Sequence, residues 1–175
     1  GTALKLAGKT ATGGGTTAVT ALDATAGADL SNLATTTVTA AAALDDAETL
    51  NFTGNLGSAA VAITGTNAGG STDIFNVDGA TMGTATFTVD GEATLQGTAL
   101  KLAGKTATGG GTTAITALHN ALTANLSGID TTTTTATFDA DATFAGTLDG
   151  AVVTVGNGST MTASATTVAG EVVNK

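Results

Sequence analysis

The stretch GTALKLAGKTATGGGTTAVTAL, Gly1 to Leu22, returns at Gly97 to Leu118 with Ile115 in place of Val19 and no other change. The chain is therefore a tandem array with a period of 96 residues. Self-similar chains of this kind bury their core by stacking units, so residues 1–96 form a first repeat and 97–175 a second, shorter one. No Pro-rich or Ser-rich linker separates the copies, which predicts a core continuous across the boundary. The chain opens on Gly1 rather than Met. We therefore expect a processed chain or a piece of a longer one, with any export signal or anchor outside it.

Within the repeated stretch, Leu4 and Leu6 alternate with Ala3, Lys5 and Ala7, the period of a half-buried strand. Lys5 and Lys9 then share an outer face, and four of the five lysines lie in the two copies. Such a basic band either guards a solvated strand edge or sets electrostatic register between neighbours. The glycine triplets inside Thr12–Thr16 and Thr108–Thr112 predict a tight turn. A phosphate loop fails on spacing: ahead of Gly8-Lys9-Thr10 and Gly104-Lys105-Thr106, Ala3 and Ala99 stand where glycine is needed.

One stretch carries helical spacing. Ile115, Leu118, Leu122, Leu126 and Ile129 would form a single apolar stripe, predicting a short helix near 113–128, with two strands broken by a turn as the rival reading. Elsewhere the pattern is strand after strand. Leu50 and Phe52, Val61 and Ile63, Phe75 and Val77, and Phe87 and Val89 each make an inward pair, with Thr, Asn or Asp outward. The pairs Asp78-Gly79, Asp90-Gly91 and Asp149-Gly150 suit hairpin turns or solenoid corners through positive backbone dihedrals. Leu126-Ser127-Gly128-Ile129 matches Leu30-Ser31-Asn32-Leu33 at an offset of 96, whereas Phe144 and Leu148 match Phe52 and Leu56 at 92. A four-residue deletion therefore lies between, and a loop is expected to hold it.

Composition narrows the architecture. The alphabet is dominated by Thr, Ala and Gly, with five Phe as the only aromatics and no Pro, Cys or Arg. A sandwich core about 10 Å thick is poorly filled by Ala and Thr, so an all-β chain built as a β-solenoid or parallel β-helix is favoured. Tandem immunoglobulin-like β-sandwiches are the alternative. The net charge of −9 without Arg argues against nucleic-acid binding and against docking on anionic lipid. No apolar run approaches the ~20 residues of a membrane-spanning helix.

Segments such as ALDDAETLNFTG (Ala43–Gly54), STDIFNVDG (Ser71–Gly79) and TATFTVDG (Thr84–Gly91), in Cys-free Thr/Ala/Gly-rich text, resemble the repeat regions of large bacterial S-layer, adhesin and extracellular fibre proteins. That resemblance implies an exported, self-assembling protein of the bacterial cell surface or extracellular space, often calcium-dependent; no catalytic constellation is legible in the residues, so no catalytic activity is expected. Its partners would be other copies of itself in a filament or lattice, or a glycan or another cell-envelope component. The calcium nonapeptide of such proteins is not carried over. Gly69-Gly70-Ser71-Thr72-Asp73 lacks the third glycine and has its Asp one position early.

No cofactor is required by any motif, and calcium is the one candidate ligand. Asp45, Asp46 and Glu48 form the densest carboxylate group, and Asp139 and Asp141 occupy the equivalent region of the second copy. Clustered oxygens at strand ends suit an ion that takes six to eight oxygen ligands, although a solvated acidic turn has the same composition. The single histidine, His119, has Asp23 as its counterpart in the other copy, so no repeated triad can be placed and His119 is expected to be exposed. Met82 and Met161 read as gap fillers. Thr84, Thr86 and Thr88, and Thr131, Thr133 and Thr135, would each project in one direction and open a second class of function, an ice-binding or glycan-binding module. Asn51, Asn125 and Asn157 begin N-x-S/T triplets.

Overall fold

Among the described residues one tight corner recurs eight times. A residue's carbonyl accepts the N–H three positions on, across 2.8 to 3.3 Å, at Leu6–Lys9, Leu30–Leu33, Leu56–Ala59, Met82–Ala85, Leu102–Lys105, Leu126–Ile129, Leu148–Ala151 and Val168–Glu171. The bend needs a left-handed residue in six of them, supplied by Gly8, Gly57, Gly83, Gly104, Gly150 and Gly170 with φ between 48° and 85°. Between corners the chain makes one circuit and returns a strand's width further along the axis. The computed structural model, which describes residues 1–22, 26–66 and 73–175, is a parallel β-solenoid of about seven turns.

Two ladders run along it. The first joins β1 (Ala11–Val19), β2 (Leu33–Ala43), β4 (Ala60–Thr64), β6 (Thr86–Val89) and the start of β8 (Thr106–Thr116). The second joins β3 (Thr49–Asn51), β5 (Asp73–Asn76), β7 (Ala93–Thr98) and the end of β8. From β8 the sheet continues through β9 (Ile129–Phe138) and β11 (Val152–Val155) to β13 (Val172–Asn174), while β10 (Ala142–Phe144) pairs β12 (Met161–Ala163). Every strand pairing is parallel.

Parallel register places like positions over one another. Val19, Ala40, Val61, Phe87, Ala107 and Ile129 are successive ladder partners, and all are buried. Leu50, Phe75, Leu95, Thr113 and Thr134 form the second inward column. All five Phe lie inside, with the Phe52 and Phe75 rings stacked at 5.7 Å. The inward pairs expected at β3 to β6 therefore hold, and the buried apolar residues form one cluster from Ala3 to Val153.

Several local expectations give way. Leu4 and Leu6 lie not in a strand but in a single helical turn, α1 (Ala3–Leu6), and the second copy repeats it as α2 (Ala99–Leu102). A helical turn advances ~1.5 Å per residue against ~3.3 Å for a strand, which shortens this side of the circuit. Leu4 and Leu100 consequently face solvent at 74% and 71% exposure, while Ala3 and Ala99 are buried. The helical stripe keeps only the 3-10 turn Leu118–Asn120, because Ile115 is held extended in β8 between Gly97 and Ala136. Ile115, Leu118, Leu126 and Ile129 are still buried, since a closed circuit turns large residues inward whatever their local conformation. The glycine triplets are not tight turns either: they run within β1 and β8, where a bulge shifts register between Gly13 and Thr16 and between Gly109 and Thr112. Of the Asp-Gly pairs only Asp149-Gly150 has positive φ; Gly79 instead leaves room for Thr53, whose Cγ2 would lie 2.8 Å from an added Cβ.

Axial stacking is tightest at the corner approaches. A Cβ on Gly54 would overlap the Ala28 carbonyl, and one on Gly146 the Ala124 carbonyl, one turn away. Gly54→Ala should destabilise the protein by about 2 kcal/mol or more, whereas Gly91→Ala, at an open site, should stay within ~0.5 kcal/mol. Urea unfolding of the two variants measures the difference.

Candidate functional site

Asp45, Asp46 and Glu48 lie in the turn joining β2 to β3, which closes on itself. The Asp45 N–H donates to Glu48 Oε2 at 2.9 Å, and the Glu48 N–H donates to the Asp45 carbonyl at 2.9 Å. The equivalent turn between β9 and β10 carries Asp139 and Asp141 and absorbs the four-residue deletion. There Asp141 Oδ1 accepts the Thr160 N–H at 2.6 Å, and the Asp139 N–H donates to His119 Nδ1 at 3.3 Å. The two acidic groups stand four turns apart. Among the described residues no three carboxylate or imidazole groups converge as a metal site would require.

His119 is half-buried rather than exposed, its ring edge-on to Phe138 at 6.3 Å. Its counterpart Asp23, like Gly69 to Thr72 of the incomplete nonapeptide, lies outside the described residues. Met82 is buried in the core and Met161 packs against it. Asn51, Asn125 and Asn157 are all exposed.

The threonine rows divide. Thr84, Thr86 and Thr88 are exposed, and Thr86 and Thr88 sit in register over the equally exposed Thr106 and Thr108. Thr131, Thr133 and Thr135 do not project together. The bulge in β8 lets Thr131 Oγ1 turn back to Thr113 Oγ1 and to the Thr133 carbonyl, both at 3.0 Å. The first copy repeats this with Thr35, Thr17 and Thr37 at 2.9 Å.

Two sets of residues emerge only from the stacking. The first is the residue ahead of three of the corners. Asp29, Asn55 and Asn125 accept the N–H two positions on at 3.0 Å, each an Asx turn that orients the bend. Their sequence signal is an Asp or Asn directly before a corner Leu. The second is a pair of lysines. Lys101 Nζ donates to the Ala80 carbonyl at 2.6 Å and Lys105 Nζ to the Gly83 carbonyl at 2.5 Å, so both hold the preceding turn. The basic band of the second copy is therefore a clamp between turns. Among the described residues no helix is long and apolar enough to cross a membrane.

No family model, no curated protein and no solved structure matches the chain.

Asp29 also accepts the Ser31 hydroxyl at 2.7 Å, and this bond, with that from the Ser31 N–H, holds its carboxyl below the ordinary 3.8. A lowered folded pKa means that the contribution is present above 3.8 and is lost as pH falls through the folded value. Asp29→Asn, which keeps the turn as Asn55 and Asn125 do, should remove a small part of the loss of stability at acid pH. Urea midpoints compared between about pH 5 and pH 2 test this.

Proposed function

We propose that the chain is a non-enzymatic, self-assembling structural segment of a bacterial cell-surface or extracellular assembly of the filament, S-layer or adhesin type. The observation that carries this reading is the eleven-stranded parallel sheet, which is continuous along the axis through β1, β2, β4, β6, β8, β9, β11 and β13, with β1 and β13 each paired on one side. Backbone hydrogen bonds directed along the axis resist extension, and an uncovered edge pairs with another strand. At the C-terminal end β13 offers Val172 and Val173, 52% and 46% exposed, on such an edge. Calcium enters this reading only as an ion to be tested, since Asp45, Asp46 and Glu48, or Asp139 and Asp141, do not converge and would have to gather around it.

Negative-stain electron microscopy of the purified chain, with and without millimolar calcium, is the test. Filaments or sheets are expected, and Val173→Lys, which places a charge on the open edge, should reduce them. Dispersed particles at high concentration under both conditions would sink the reading. A second reading, an ice-binding module, draws on the in-register exposed grid of Thr86, Thr88, Thr106 and Thr108. Thermal hysteresis abolished by Thr86→Tyr would favour it over a passive rod.

A further inference from the structure

The two copies of the 22-residue stretch are nearly identical in sequence but differ in surroundings. In the second copy the preceding turn, from Met82 through β6 and β7, covers it. Gly97, Leu102, Ala107, Gly111 and Thr113 are buried there. Their counterparts Gly1, Leu6, Ala11, Gly15 and Thr17 are all exposed or half-buried.

The glycines show what the stretch is shaped to meet. A Cβ on Gly109 would overlap the Val89 carbonyl, and one on Gly111 would overlap the Asp90 carbonyl and lie 2.6 Å from that of Ala93. Only glycine admits the Val89–Ala93 corner at this distance. In the first copy an added Cβ on Gly13 or Gly15 would meet nothing within 4 Å, and one on Gly14 only Thr36 Oγ1 at 4.0 Å. The lysines repeat the contrast. Lys101 and Lys105 bind the Ala80 and Gly83 carbonyls, whereas among the described residues Lys5 and Lys9 have no partner. The start of the seam is already in place: Thr2 bridges Thr20 in parallel just as Thr98 pairs Thr116.

We infer that the first turn is a seat for the fourth turn of a second copy of the 1–96 unit. Thr86 to Thr88 of that copy would pair with Thr10 to Thr12, and its Thr94 to Gln96 with Thr16 to Ala18, as they pair with Thr106–Thr108 and Thr112–Ala114 in this chain. Its Val89–Ala93 corner would close over Gly13 to Gly15. Lys5 and Lys9 would take its Ala80 and Gly83 carbonyls. The occupant follows from continuity with an interface present once already, between turns four and five. This inference rests on the repeat geometry and stands whether or not the chain forms filaments.

The test places a second copy of residues 1–96 ahead of Gly1 of the full chain, so that Gln96–Gly1 reproduces the Gln96–Gly97 junction. Hydrogen exchange is followed at the amides of Ala11 to Val19, with those of Ala107 to Ile115 as an internal standard of intact folding. Exchange at Ala11–Val19 should slow by about tenfold or more, to the rate of the standard. Unchanged exchange at Ala11–Val19 beside a protected standard would overturn the inference. Lys5→Ala with Lys9→Ala should leave the 175-residue chain unaltered and speed exchange at the seam of the extended one. Seam protection indifferent to both substitutions would overturn the lysine clamp.

Discussion

Parallel register between successive turns is the constraint on which the rest depends. Strands inside the sheet, such as β4, hydrogen-bond to the strand one circuit before and the strand one circuit after, so a residue at an inward position meets the same position in its neighbours. Column packing follows directly. Val61 lies between Ala40 and Phe87, and Phe75 between Leu50 and Leu95, so each inward side chain packs on the inward side chains of the turns before and after it and fills a narrow interior. Such an interior suits Ala, Val, Leu and five Phe, and it admits Thr113 and Thr134 where hydroxyls can bond along the stack.

The same register dictates where glycine is indispensable. Backbones of adjacent turns approach within one strand spacing of about 4.8 Å. Where a turn crosses over the one below, as Gly54 does over Ala28 and Gly111 over Asp90, a Cβ has nowhere to go. Corner glycines serve a different need, a left-handed residue in a four-residue bend. The abundance of glycine thus reflects two geometrical demands, both created by stacking. Lys101 and Lys105 belong to the same account, because their ammonium groups reach the Ala80 and Gly83 carbonyls of the preceding turn.

Much of the architecture was legible in the chain. The inward pairs Val61/Ile63, Phe75/Val77 and Phe87/Val89 alternate cleanly because a strand buried on one face demands it. The 96-residue repeat spans four corners, and these follow one another every 20 to 26 residues, a shorter period that the longer one masks. Leu-x-Gly and Leu-x-Asn were present as text, but their spacing varies with the length of the turns, as in the four-residue deletion between β9 and β10. The helical stripe at Ile115–Ile129 misled because five inward residues around one circuit fall by chance at helical intervals. Among the candidate site residues, Asp45, Asp46 and Glu48 were visible as a dense group. That Asp45 and Glu48 bond to each other's backbone, and that Asp141 bonds to Thr160, depends on turn geometry that composition does not encode.

What the sequence by itself determined is the repeat, the strand character and the choice of a thin interior, because these rest on local periodicity and side-chain volume. Only the tertiary structure decided which residues become partners across turns: Lys101 with Ala80, Gly111 with Asp90, Thr131 with Thr113. Those pairings join residues about twenty positions apart, and their register is set by the length of every intervening turn. A stretch repeated almost letter for letter is consequently buried in one copy and open in the other. The physical reason is that stacking, unlike propensity, is a property of the neighbour.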